Sequence, residues 1–109
     1  MPILPDYLPG LDGFQWDAGN LEKNWHAHQV SAGEIEQAFF NRPVIVAGDL
    51  KHSRVETRHY LLGRSNEGRR LAITFTVRGT LVRPIMAREM SRVERRIYVA
   101  RQIVEEEGT

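Results

Sequence analysis

Apolar and polar positions alternate along residues 71–78. Leu71, Ile73, Phe75 and Val77 fall on one side, and Ala72, Thr74, Thr76 and Arg78 on the other. A period of two is the mark of a half-buried strand. The run lies within residues 55–88, where three β-prone segments are separated by Ser65-Asn66-Glu67-Gly68 and Arg78-Gly79. Gly and Asn tolerate positive φ, so both separators read as turns and the stretch as an antiparallel meander. Pro84 interrupts the third segment. It cannot donate to a ladder, so that strand should lie at an edge or carry a bulge there. Val44-Ile45-Val46-Ala47, ended by Gly48-Asp49, is a further short strand, and Phe14-Gln15-Trp16 a very short one.

The helical segments follow a longer period. Asp17 is placed to cap a helix running to about Ala27, with Ala18, Leu21, Trp25 and His28 on one face. Ser31 and Glu34 form a Ser-x-x-Glu capping box, and Ile35, Ala38 and Phe39 make the buried stripe behind it. Asn41-Arg42-Pro43 stops this helix, because the residue before proline avoids the α region. Ser91 and Glu94 form a second box. Val93, Ile97, Ala100 and Val104 then line one face of a last helix, opposite Arg92, Arg95, Arg96 and Gln102. Glu105-Glu106-Glu107 opposes the macrodipole, so fraying is expected there. The predicted order is β-α-α-β-β-β-β-α. That is an α+β fold with a small antiparallel sheet of about four strands, helices packed on one face and the other face partly open. Residues 1–13 carry Pro2, Pro5, Pro9, Gly10 and Gly13 and read as an extended arm, residues 14–104 as the domain, and residues 105–109 as an acidic tail.

Composition narrows the class. At 109 residues, one domain with a modest core is expected. There is no cysteine, hence no disulfide framework or thiolate metal site. No apolar run approaches the roughly 18 residues that cross a membrane. Residues 1–13 lack the basic start and apolar core of a secretion signal, so a cytoplasmic protein is expected. The formal charge of +1 hides a division. Residues 1–50 hold two Lys/Arg against seven Asp/Glu, whereas residues 51–104 hold thirteen against four. A basic sheet and last helix point to an anionic partner, although arginines also serve simply to keep a surface solvated.

The candidate chemistry sits in that basic half. Metal-free RNA cleavage needs a base for the ribose 2′-OH, cations for the pentacoordinate phosphate and an acid for the leaving oxygen. Arginine suits the second task, since its planar fork meets phosphate oxygens two at a time. Arg78 and Arg83 flank the turn at Gly79, and Arg88 ends the same strand as Arg83; Arg58 and Arg64 belong to the preceding segment. Glu56 opens that segment, either as a base or as an ion-pair partner that holds an arginine. His52, in a loop, has the better ordinary pKa for proton transfer. Tyr60, Phe75 and Tyr98 are candidates for stacking on bases, with Phe75 assigned to the core. His26 and His28 lie two apart on a helix and diverge, so no metal site is expected, and His28 is read as a packed histidine beside Trp25.

The residues also carry a resemblance. Phe14-x-Trp16-Asp17, Asn24, His28, Val30-Ser31, Ala38-Phe39-Phe40 and Pro43 resemble the opening of the BrnT toxin family. His52-Ser53, Glu56, Arg58 and Gly63 are similar to its middle, and Thr76, Arg78, Arg83, Ala87-Arg88, Glu94 and Tyr98 to its end. The resemblance implies a RelE-like fold and a ribonuclease toxin of a type II toxin–antitoxin module. It implies RNA as substrate, no cofactor, and a DNA-binding antitoxin of the ribbon-helix-helix type, BrnA, held with the toxin in a heterotetramer. A homodimer is the form considered for the toxin alone. Arg83, Arg88, His52 and Glu56 are the catalytic candidates, and Arg58, Arg64, Arg78 and Tyr98 the RNA-binding ones. Where the family usually has other residues, this chain has Ala27, Gln29 and Met86. The alternative reading is a catalytically silent member that binds an antitoxin or nucleic acid.

Overall fold

A computed structural model describes residues 10–48 and 56–108. Its elements are β1 (Gly13–Phe14), α1 (Ala18–His28), α2 (Ala32–Phe40), β2 (Ile45–Gly48), β3 (Arg58–Arg64), β4 (Arg70–Arg78), β5 (Leu81–Glu89) and α3 (Arg92–Glu107). They form one five-stranded sheet in the order β1-β5-β4-β3-β2. Strands β2 to β5 are antiparallel to their neighbours, as the turn chemistry requires, and the two-residue β1 runs parallel to β5. Gly68 and Gly79 take φ of 88° and 61° at the two hairpin turns, a region other residues enter at a cost. The sheet is thus mixed by one short strand, and otherwise the meander expected from the alternation. The first nine residues of the Pro-rich arm lie outside the described residues.

The meander carries apolar clusters on both sides, one large and one small. Leu61, Leu71, Ile73, Phe75, Val82 and Ala87 point to a core closed by Ile35, Ala38 and Phe39 of α2. Phe39 meets Phe14 and Phe75 edge-on, with centroids 5.1 Å from each. On the other face a smaller cluster of Leu62, Ala72 and Met90 packs around Tyr98 of α3. So α3 does not join α2; it crosses the opposite face at one end and leaves the rest of that face open. Val77, at the end of the alternation, is 37% exposed and outside the core.

Two helices present faces that differ from the expected ones. On α1, Leu21 and Trp25 are 40% and 53% exposed, whereas Asn20 and Asn24 are buried. The reason lies in what α1 covers. Beyond its short pairing with β1, the outer edge of β5 leaves backbone groups without a strand partner, and such groups need polar ones. Asn20 Nδ2 donates to the Pro84 carbonyl at 2.9 Å, and the Ala87 amide donates to Asn24 Oδ1 at 2.9 Å. Pro84 sits at the bulge its chemistry called for: Phe75 pairs with Pro84 and Thr74 with Met86, so Ile85 is the extra residue. His28 is exposed, not packed, because the same rotation of α1 turns it outward. On α3 only Tyr98 is buried, while Val93, Ile97 and Val104 are 62%, 52% and 64% exposed. The helix runs on to Glu107.

Candidate nucleic-acid interface

Register places the basic residues. Arg58 pairs with Thr76, and Thr76 with Arg83, so the two arginines flank one threonine across three strands. Paired residues of an antiparallel ladder point to the same side. That side is the open face. Arg78, two residues beyond Thr76, shares it. Beneath the row, Thr76 Oγ1 donates to the Thr57 carbonyl at 2.7 Å and is itself buried. The first turns of α1 wall the patch on the β5 side. The result is a cavity of about 190 Å³ lined by Gly19, Asn20, Lys23, Glu56, Arg58, Arg78, Arg83 and Ile85.

Two carboxylates hold these cations in position. Arg83 donates to Asp17 Oδ2 at 2.8 Å and to Oδ1 at 3.3 Å, linking the sheet to the α1 cap. Arg78 Nη2 and Nε donate to Glu56 at 3.1 and 3.3 Å. The hydrogen bond from Arg83 keeps the Asp17 carboxyl below its ordinary range, helped by the Asn20 amide. The hydrogen bond from Arg78 does the same for Glu56, with the charges of Arg78, Arg58 and Arg83 adding to it. Glu56 in turn raises Arg78. A carboxylate whose pKa is lowered is less suited to act as a general base. Its geometry is that of an anchor for Arg78, the second of the two roles open to it from sequence. Both pairs are partly solvent-accessible: the Asp17 side chain is 54% exposed against 16% for Arg83, and that of Arg78 49% against 33% for Glu56. Exposed pairs of this kind are worth little, so a polyanion can take their place at small cost.

Other candidates lie elsewhere. Arg88 is on the same face, two rows away, beside Ala72 and Leu62. There its guanidinium donates to both oxygens of Glu94, at 2.7 and 3.0 Å, and Tyr60 donates its hydroxyl to the same carboxylate. Glu94 also closes the α3 capping box, so this trio ties α3 to the sheet. Arg64 is at the far end of β3, where it donates to the Arg42 carbonyl at 2.8 Å. Tyr98 is wholly buried, and its hydroxyl donates to the Pro43 carbonyl at 2.7 Å. Burial raises its pKa. It cannot stack on a base, which corrects its expected role; the apolar line of Val93, Ile97 and Val104 is the face of α3 turned out. His52 lies outside the described residues. Sequence reasoning missed Lys23 and the Asp17–Arg83 bridge. The i, i+3/i+4 spacing of Gly19, Asn20 and Lys23 was the available signal, masked by the more apolar Leu21–Trp25 face.

Among the described residues no group of three His, Asp or Glu side chains gathers as a metal site would need, and no helix is long and apolar enough to cross a membrane. The sheet, its flanking helices and the cavity define the class first: a small α+β protein with an open cavity lined by cations. The profile of the family described as "Ribonuclease toxin, BrnT, of type II toxin-antitoxin system" matches residues 16–94. The chain therefore belongs to the BrnT toxin family, the ribonuclease toxins of type II toxin–antitoxin systems. Comparison with curated proteins returns no significant match.

Proposed function

We propose that this protein is a metal-independent endoribonuclease toxin whose phosphate-binding centre is the cluster of Arg58, Arg78 and Arg83, with Lys23 at its rim. The observation that carries the reading is the convergence of three guanidinium groups from three strands on one open cavity. Phosphate oxygens replace Asp17 and Glu56 as acceptors, and the arginines offset the charge that builds on the pentacoordinate phosphorus. The ribose O2′ gives up its proton, forms the new P–O bond and expels O5′. The products are a 2′,3′-cyclic phosphate and a 5′-hydroxyl. His52 carries the proton, on the strength of its ordinary pKa, and Glu56 orients Arg78. Arg88 acts through Glu94 by fixing α3 to the sheet. The partner is a BrnA-like ribbon-helix-helix antitoxin, assembled with the toxin as a heterotetramer in the cytoplasm.

The test is cleavage of total RNA by purified protein in the presence of a chelator. Arg83→Ala and His52→Ala are each expected to slow cleavage by about 10²-fold or more. Glu56→Gln should retain a measurable rate, because it keeps a hydrogen-bond acceptor for Arg78. Loss of all cleavage in Glu56→Gln with activity intact in His52→Ala would reverse the two roles.

One observation favours a second reading. Arg78, Arg83 and Arg88 each already hold an acid, Glu56, Asp17 and Glu94 respectively. A silent binding module would look the same. Expression alone in bacteria separates them: growth arrest relieved by Arg83→Ala belongs to the nuclease, and unimpaired growth to the module.

A further inference from the structure

The outward face of α3 has a pattern its own fold does not use. Val93, Ile97, Ala100 and Val104 are spaced four, three and four apart, the d-a-d-a rhythm of a coiled-coil seam. Val93, Ile97 and Val104 are each more than half exposed, and Ala100 is exposed with them. The inward line is a different one, Glu94, Tyr98 and Gln102. The stripe is about 16 Å long at 1.5 Å per residue.

The charges beside the stripe give its occupant. Arg92 and Arg96 flank its N-terminal end, and Glu107 its C-terminal end on the same side of the seam by helical spacing. For a lone helix this order is the unfavourable one. Cations sit at the positive end of the macrodipole, and the last turn holds no basic residue to meet its negative end. A second α3 running antiparallel reverses both signs. It brings the partner subunit's Glu107 near Arg92, opposes the two dipoles, and sets Val93 against the partner subunit's Val104. The stripe is thus complementary to itself about a two-fold axis, as a closed isologous pair must be.

We propose that α3 is the interface of a homodimer, in which two copies of this chain pair their α3 helices antiparallel along Val93, Ile97, Ala100 and Val104. Four apolar residues per copy make a short seam beside the roughly 1,200–2,000 Å² of a standard stable interface. Association is therefore reversible and concentration-dependent. The pairing leaves the Arg58–Arg78–Arg83 cavity uncovered, since that cavity lies at the end of the sheet remote from Tyr98. It stands apart from the ribonuclease reading, and its tests use no RNA.

Sedimentation equilibrium of the purified chain should show the mass rising from 12.5 kDa toward twice that value with concentration. Ile97→Lys should raise the dissociation constant by about tenfold or more, with the far-ultraviolet circular dichroism unchanged. Arg92→Glu and Glu107→Arg should each weaken the dimer, and the double variant should restore it. The chain has no cysteine, so single thiols report orientation cleanly. A mixture of Val93→Cys and Val104→Cys proteins should oxidise to the mixed disulfide in preference to either symmetric one. A monomer at every concentration overturns the proposal, as does a dominant disulfide between two copies of position 93. A chain that stays monomeric, yet loses antitoxin binding in Ile97→Lys, also overturns it and assigns the face to the antitoxin.

Discussion

Single polar side chains decide how α1 sits. Asn24 is 1% exposed, accepts from the Ala87 amide and donates through Nδ2 to the Asn20 carbonyl at 2.8 Å. Asn20 spends its amide on the Gln15 and Pro84 carbonyls while its oxygen accepts from the Asp17 amide. These groups replace the strand that β5 lacks along this edge. Asn24→Leu keeps the volume but strands the Ala87 amide in a dry site, an omission that costs about 1–3 kcal/mol. Urea denaturation is the measurement, and the unfolding free energy, midpoint times slope, should fall by that amount. An unchanged midpoint would mean that water reaches Ala87 and that α1 is not the cap of the β5 edge.

At the scale of elements, α2 and β3 touch where neither has a side chain in the way. A Cβ on Gly63 would meet the Ala38 carbonyl oxygen at 2.6 Å and the Ala38 Cβ at 3.2 Å. The obstacle is backbone, which cannot swing aside. Gly63→Ala should therefore destabilise by about 1–3 kcal/mol, read as a lower melting temperature with the same secondary structure. The sequence carried most of this layer. Alternation, turn glycines and capping boxes located α2, β3, β4, β5 and the start of α3, since each is set by local chemistry. The facing of α1 and α3 was not legible, because hydropathy marks which residues dislike water and not which neighbour the fold supplies. α1 covers a strand edge, so asparagines go inward and Trp25 outward. α3 rests on a small patch through Tyr98, so its longest apolar line remains outside. The site was half legible for the same reason. Arg58, Arg78 and Arg83 follow from strand register, but the bridge from Arg83 to Asp17 spans 66 residues and leaves no local mark.

At the scale of the whole molecule, three carboxylates among the described residues are held below their ordinary range. Asp17 and Glu56 are lowered by Arg83 and Arg78. Glu34 is raised by burial but lowered further by the Ser31 amide and Arg69, whose Nη1 lies 3.1 Å from Oε2. A carboxylate lowered on folding adds stability above its unfolded pKa, near 3.8 for Asp and 4.5 for Glu, and loses it as pH falls through the folded value. The melting temperature should hold from pH 7 to about 5 and drop steeply below about 4. Glu34→Gln should lower the melting temperature at pH 7 more than at pH 3, narrowing the gap between the two. A gap as wide as that of the parent would remove Glu34 from the acid response.

The uneven charge of the chain sets a final expectation for RNA binding. On the proposed reading, the basic half would meet the polyanion through the cavity rather than over its whole surface. Arg64 is turned to the Arg42 carbonyl at the far end, and Arg88 is held by Glu94. Among the described residues, four cations line the cavity where a phosphate would enter: Lys23, Arg58, Arg78 and Arg83. Each contact to a single strand releases about 0.7 of a counterion, so log K against log salt should have a slope near −3. Arg83→Ala should reduce that slope by about 0.7 and weaken binding to all sequences alike. Arg64→Ala should leave it unchanged. Fluorescence anisotropy of a short labelled RNA between 50 and 300 mM salt measures both. If Arg64→Ala flattens the slope as much as Arg83→Ala, the RNA follows the whole open face, past Tyr60 and Arg88 to the end of β3. The cavity would then be one stop on a longer track and not the place where the phosphate is held.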